Sequence, residues 1–164
     1  MKKMIFGEII YNSRITENIF DIKIKNGYIC ENAGPGQFVN IYIPSADMLL
    51  PRPLSICETF IDDGVFRIIY QVVGAGTSYL KNLRKGDQLK ILSPLGNGFE
   101  IRKTGSAAII GGGIGTPPLL YLARALTENN KNIRVRRSTH ANEALPRDLC
   151  AGYPNSARHG VEES

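Results

Sequence analysis

Three short segments carry residue types that hold anionic groups. Arg52-Pro53-Leu54-Ser55 sets a guanidinium and a hydroxyl three residues apart, with proline fixing the backbone between them. A guanidinium forks two hydrogen bonds onto a pyrophosphate, and a serine three residues on reaches a different part of the same ligand. Gly74-Ala75-Gly76-Thr77 precedes a short helical stretch. Its glycines admit a ligand close to the backbone, and a helix N-terminus offers free N–H groups and a positive dipole end to a phosphate. Gly111-Gly112-Gly113-Ile114-Gly115-Thr116 joins an apolar run to an apolar helix. Strand–glycine–helix turns of this kind often bind pyrophosphate.

The third segment departs from the dinucleotide fingerprint G-x-G-x-x-G. Counted from Gly111 the sixth place is Thr116, and from Gly113 it is Pro118. The acidic residue expected about 20 positions further on is missing, and Arg134, Arg136 and Arg137 stand there. Taken singly, each segment has a plain structural reading: an arginine in a proline-rich loop, a strand-to-helix turn, a tight turn.

Other chemistries find no support. Cys30, Cys57 and Cys150 are odd in number, far apart and without a C-x-x-C pair. They build neither a disulfide scaffold nor a zinc or iron–sulfur site, and read as buried or idle thiols. His140 and His159 lack a third ligand. No Ser/His/Asp or Cys/His arrangement offers a nucleophile.

The elements that must position these segments read as short strands. Phe6 to Tyr11 begins the series. Phe20, Ile22 and Ile24 alternate with Asp21, Lys23 and Lys25, a half-buried strand closed by an Asn26-Gly27 turn. Further strands fall at Phe38–Ile43, around Arg52, at Val65–Val73 and at Leu89–Leu92. Thr77 caps a short helix through Leu83, with Gly86 as its terminating glycine. This pattern predicts an antiparallel β-barrel over residues 1–101. Ala107-Ala108-Ile109-Ile110 then reads as a strand buried on both faces, Thr116-Pro117 as a helix start, and Ile133-Arg134-Val135 as a second parallel strand. Residues 102–136 are thus the beginning of an α/β unit. Residues 137–164 carry neither periodicity and read as a polar tail.

Composition agrees with a globular chain. Of 164 residues 43% are hydrophobic, so a core can form, and 17 Gly with 9 Pro favour a turn-rich β architecture. Lys and Arg number 20 against 15 Asp and Glu, a net charge of +5 with no basic block interleaved with aromatics. Nucleic acid is not an expected partner. Lys2 and Lys3 precede too short an apolar run for a signal peptide, and no stretch is long enough to span a membrane, which points to the cytoplasm.

The order and spacing of the motifs are far more specific than any one of them. They are Pro35-Gly36-Gln37-Phe38-Val39, Arg52-Pro53-Leu54-Ser55-Ile56, Gly74-Ala75-Gly76-Thr77-Ser78-Tyr79-Leu80, Gly86-Asp87-Gln88-Leu89, Ser93-Pro94-Leu95-Gly96 and Gly111 to Pro118. Together they resemble the ferredoxin–NADP reductase superfamily. Within it they are most similar to the electron-transfer subunits of NAD-linked dihydroorotate dehydrogenases, over roughly residues 4–135.

The resemblance implies an FAD-binding barrel followed by a nicotinamide-nucleotide domain. It implies that Arg52 pairs with the FAD pyrophosphate, that Ser55 sits near the reactive edge of the flavin, and that Pro53 and Leu54 complete that segment. Ile69, Tyr70 and Gln71 would line the flavin or ribityl chain, and Gly76 and Thr77 would close on the phosphates. Gly111, Gly112, Gly113, Gly115 and Thr116 would floor an NAD site. It further implies a flavin-dependent oxidoreductase subunit of pyrimidine biosynthesis. An FMN-containing catalytic subunit, two of each in a heterotetramer, would oxidise dihydroorotate and send electrons through [2Fe–2S] and FAD to NAD⁺.

The sequence departs from that pattern in two ways. The four cluster cysteines are missing, so no iron–sulfur centre is expected in this chain. After about residue 135 the match ends, which reads as a truncated or frame-shifted product with an incomplete nucleotide domain, whose apolar segments Ile109-Ile110 and Leu119-Leu120 are expected to lie exposed or to pack irregularly. Two alternatives stay open: another NAD(P)H:ferredoxin or hydrogenase-associated flavin reductase subunit, and an FAD-binding fragment without enzymatic activity.

Overall fold

A computed structural model describes residues 2–45, 48–101, 107–129 and 133–137, with Asn129 and the last five by backbone alone. In chain order the elements are β1 (Lys3–Arg14), β2 (Ile19–Lys25), α1 (Gly27–Asn32), β3 (Phe38–Tyr42), β4 (Arg52–Ser55), β5 (Glu58–Phe60), β6 (Val65–Gln71), α2 (Ala75–Asn82) and β7 (Gln88–Leu95). Then follow β8 (Ala107–Gly111), a 3₁₀ turn (Gly113–Gly115), α3 (Pro117–Asn129) and β9 (Ile133–Arg137).

Strands β1 to β7 form one antiparallel sheet in the order β4-β3-β7-β1-β2-β6-β5. Its two edge strands are consecutive in sequence, and only Ile56 and Cys57 lie between them. Ile56 donates its N–H to Gln37 O, beside β3, and Cys57 donates to Arg67 O on β6. Two residues cannot cross the full width of an open seven-stranded sheet, since strands are about 4.8 Å apart. The sheet is therefore curled, and the expected barrel architecture holds.

The core follows from period two. Ile22 and Ile24 of β2, Ile41 of β3, Phe66, Ile68 and Tyr70 of β6, and Leu89 and Ile91 of β7 face inward, with Ile9, Ile29 and Leu80 closing the ends. Each fully buried aliphatic side chain contributes roughly 1.5–3 kcal/mol. A shift in the β1–β2 register between Ile9 and Tyr11 marks a bulge that bends β1.

Several local expectations are corrected. Asn26-Gly27 does not simply turn the chain. The Asn26 side chain accepts from Ile29 N at 3.0 Å and starts α1, a helix the sequence did not announce. Helix α2 begins two residues before Thr77, with extended Gly74 as its N-cap. It ends at an extended Leu83, and Gly86, with φ +95°, serves the next turn instead. Thr116 does not cap α3. Its backbone is already helical, and its N–H donates to Gly113 O within the 3₁₀ turn.

Strands β8 and β9 pair in parallel, with α3 as the crossover between them. The second parallel strand and the α/β opening are as expected. The apolar run reads by itself as buried on both faces, but only Ile109 is buried, under α3; Ile110 is 73% exposed, as expected of an incomplete α/β unit. Residues 102–106, where the barrel-to-α/β boundary was expected, and residues 138–164 of the expected polar tail lie outside the described residues.

Candidate functional site

Arg52 sits on edge strand β4, opposite Ile41 of β3. Its side chain leaves the sheet and crosses the first turn of α2. A Cβ built on Gly76 would lie 2.0 Å from Arg52 Nε and 2.9 Å from both Cδ and Cζ. Glycine at 76 is what lets the arginine lie there. Among the described residues the Arg52 guanidinium has no hydrogen-bonded or ion-paired partner.

The turn that presents α2 is fixed by Thr77. Its hydroxyl accepts from Val73 N at 3.0 Å and Gly74 N at 3.3 Å, and donates to Gly74 O at 3.1 Å. The N–H groups of the first helical turn have no acceptor within the helix, and Gly76 of that turn lies under the Arg52 side chain. The far end of α2 is held by Asn12 of β1, whose amide donates to Leu80 O and Leu83 O, each at 2.9 Å. A guanidinium over a helix N-terminus, with both elements anchored, is a place for an anion.

The other sequence-predicted residues divide by face. Pro53 and Ser55 are exposed, and Leu54 is half-buried against the core. On β6, Ile69 packs with Ile19 and Cys57 in a separate cluster that Leu120 of α3 covers. Gln71 is half-buried. The Tyr70 ring points into the barrel, 1% exposed and stacked on Phe20 at 5.8 Å. Burial pushes the Tyr70 hydroxyl above its usual pKa, offset in part by its hydrogen bond to Asn12. This residue meets a ligand outside the barrel only through its backbone.

The glycine turn touches β6, the strand that carries Ile69 to Gln71. Gly111 is tight: a Cβ there would meet Leu119 Cδ1 at 2.8 Å and Thr116 Oγ1 at 3.1 Å. Gly113 needs its positive φ of +51°. Gly112 and Gly115 are exposed. The structure thus joins Arg52, Gly76 and Thr77 directly, and brings the glycine turn to the neighbouring strand.

Sequence reasoning missed how the second unit is held. Cys57 Sγ donates to Pro117 O at 3.0 Å, Thr59 Oγ1 donates to Tyr121 Oη at 2.9 Å, and Tyr121 Oη donates to Ala33 O at 2.8 Å. Glu58, between Cys57 and Thr59, pairs with Arg124 at 3.3 Å and with Arg67 at 3.7 Å. Arg67 also holds Asp21 through two bonds, Nε to Oδ1 at 2.9 Å and Nη2 to Oδ2 at 2.8 Å. Burial acts to lower the Arg67 pKa. The hydrogen bond to Asp21 and the charges of Asp21 and Glu58 outweigh it, so the guanidinium keeps its proton with a pKa above the ordinary arginine value. Among the described residues no cluster of His, Cys, Asp and Glu has the makings of a metal site, and no helix is long and apolar enough to cross a membrane.

A curled antiparallel sheet with an arginine over a helix N-terminus, followed by a strand–glycine–helix unit, defines a flavoprotein of the ferredoxin-reductase-like class. Solved structures agree. The NADH-dependent reduced ferredoxin-NADP oxidoreductase of flavin-based electron bifurcation superposes with a TM-score of 0.74 at 34% identity, over 80% of this chain and 47% of that one. Phthalate dioxygenase reductase shares the fold, with a TM-score of 0.67 at 19% identity over 82% of this chain and 43% of its own. No family model matches the chain.

Curated relatives narrow the class. Over 130 residues the chain is 41% identical to the dihydroorotate dehydrogenase B (NAD⁺) electron-transfer subunit of Enterococcus faecalis, covering 77% of this chain and 49% of the relative. The corresponding subunit of Clostridium perfringens is 39% identical over 130 residues, 79% of this chain and 50% of the relative. Over that stretch the chain matches about half of a dihydroorotate dehydrogenase B electron-transfer subunit, within the ferredoxin-reductase-like superfamily. It spans about half the length of the curated relatives it matches.

Proposed function

We propose that this chain binds FAD through its barrel and forms part of an electron-transfer subunit that passes electrons from a dihydroorotate-oxidising partner to NAD⁺. The observation that carries the reading is the Arg52 guanidinium lying over Gly76 at the start of α2, without a hydrogen-bonded or ion-paired partner among the described residues. Gly74 adds to it. Its backbone is extended, a conformation open to any residue, and nothing lies within 4 Å of a Cβ built there. The fold itself does not demand glycine at that position, whereas close approach of a phosphate does.

In this reading Arg52 and the first-turn N–H groups of α2 hold the pyrophosphate of FAD. Thr77 keeps that turn rigid, and Ser55 with Pro53 and Leu54 flanks the ring system. Ile69, Tyr70 and Gln71 contribute along β6, and Gly111 to Thr116 receive the nicotinamide nucleotide. Bound FAD supplies hydride exchange with NAD⁺ and single-electron exchange with a [2Fe–2S] cluster, and the protein positions it. The partner is the FMN-containing catalytic subunit, assembled two and two in the cytoplasm for pyrimidine synthesis.

The exposed Ile110 favours a second reading, in which the chain binds FAD without hydride transfer from NADH, because a parallel sheet functions covered on both faces. A visible spectrum of the purified protein with added FAD, before and after anaerobic NADH, separates the two. Bound flavin that bleaches supports the reductase. Bound flavin that does not bleach supports the binding fragment. No bound flavin refutes both.

A further inference from the structure

The segment from Arg52 to Thr59 carries two functions in eight residues. Its first half forms the anion site on β4. Its second half docks α3: consecutive residues Cys57, Glu58 and Thr59 engage Pro117, Arg124 and Tyr121. Positions 117, 121 and 124 are spaced by four and three, so they share one face of the helix. The same helix begins directly after the Gly113–Gly115 turn. Whatever fixes α3 against β5 also fixes the glycine turn against β6.

Glu58 is the centre of that dock. Its side chain is 6% exposed, and its two oxygens go to different halves of the molecule: Oε2 to Arg67 of the barrel, Oε1 to Arg124 of α3. Arg67, 14% exposed, is itself locked to Asp21 from two sides. A buried carboxylate between two arginines is strongly directional, because removing either partner leaves a desolvated charge. By contrast Arg124–Glu128 is a surface i,i+4 pair with Glu128 66% exposed, of the kind that contributes little.

We propose that Glu58 is a positioning residue that joins the barrel to α3 and so sets where the Gly113–Gly115 turn stands beside β6. The proposal depends on β5, β6 and α3 alone and stands whether or not the ligand of the Arg52 site is FAD.

Amide hydrogen exchange on the full chain tests it without added ligand. Glu58→Gln and Arg124→Met should each speed exchange of α3 amides by about tenfold or more, while amides of β1, β2 and β7 change by less than about twofold. The double variant should be no faster than either single one, since both remove the same link. Arg124→Lys, which keeps the charge, should restore most of the protection, and Glu128→Gln should change nothing. Unchanged α3 protection in Arg124→Met overturns the proposal. So does equal acceleration of barrel and α3 amides, which would make Glu58 a stabiliser of the whole fold and not a link to α3. Arg124 is partly exposed and lies outside the barrel core, so its variants keep the test open if Glu58→Gln does not fold.

Discussion

Arg52 lies across Gly76 so closely that the two positions are one structural decision: a side chain at 76 and an arginine stem over α2 exclude each other. Gly76→Ala should therefore push Arg52 off the helix N-terminus. The clash is with a movable side chain, so the cost in stability should be small and the loss should fall on ligand binding. FAD titration followed by flavin fluorescence should show affinity about tenfold weaker or more, with the urea midpoint little changed. Equal affinity in the variant would mean that Arg52 does not bind from this position.

Arg52 itself offers the sharper comparison. A hydrogen bond to a charged group is worth about 1.5–3 kcal/mol, or roughly ten- to hundredfold in affinity. Arg52→Ala should weaken FAD by that amount. Arg52→Lys should recover only part of it, because an ammonium keeps the charge and loses the fork. Full recovery in the lysine variant would show that charge alone matters, and that the planar geometry over Gly76 does not.

Much of this site was legible in the residues. Arg52, Gly76 and Thr77 stood out through the order and spacing of their motifs along the chain, since each segment alone has a plain structural reading. The strand alternation of Phe20 to Lys25 also gave the inner face correctly. It misjudged the outer one. Asp21 looked like a solvent-facing residue, yet it is buried, because Arg67 of the neighbouring strand and then α3 cover that face. Periodicity reports which residues share a face but not what lies on it. Glu58 was invisible for the same reason, since its partners are 9 and 66 residues away in sequence. Ile110 was legible only when two signals were combined: its apolar run alone reads as burial on both faces, and the incomplete α/β unit explains why one face lacks its cover.

Tyr121 tests the uncharged part of the dock. Its hydroxyl accepts from Thr59 and donates to the carbonyl of Ala33. Tyr121→Phe leaves both without that partner, at a cost of about 1–3 kcal/mol. Thermal unfolding should shift down by a few degrees, and adding Thr59→Val should cost less in the Tyr121→Phe background than in the wild type. Strict additivity would show that the two hydroxyls do not act together.

Cys30 sets an alkaline limit on the fold. It is 2% exposed, and burial, aided slightly by Glu31 and opposed by backbone hydrogen bonds, pushes its thiol up from 9.0 to about 11. The folded state thus holds this proton more tightly than the unfolded chain. The stability that follows is fully present below pH 9 and is lost as pH rises through about 11. Urea midpoints should fall across that window. Cys30→Ala should start lower at pH 8, because a buried side chain is cut back, and should fall less steeply between pH 9 and 11 because nothing titrates at that position. The residual slope in the variant belongs to other groups, Tyr70 among them, whose pKa burial also raises. Parallel curves for the two proteins would show that the Cys30 proton is held no more tightly folded than unfolded.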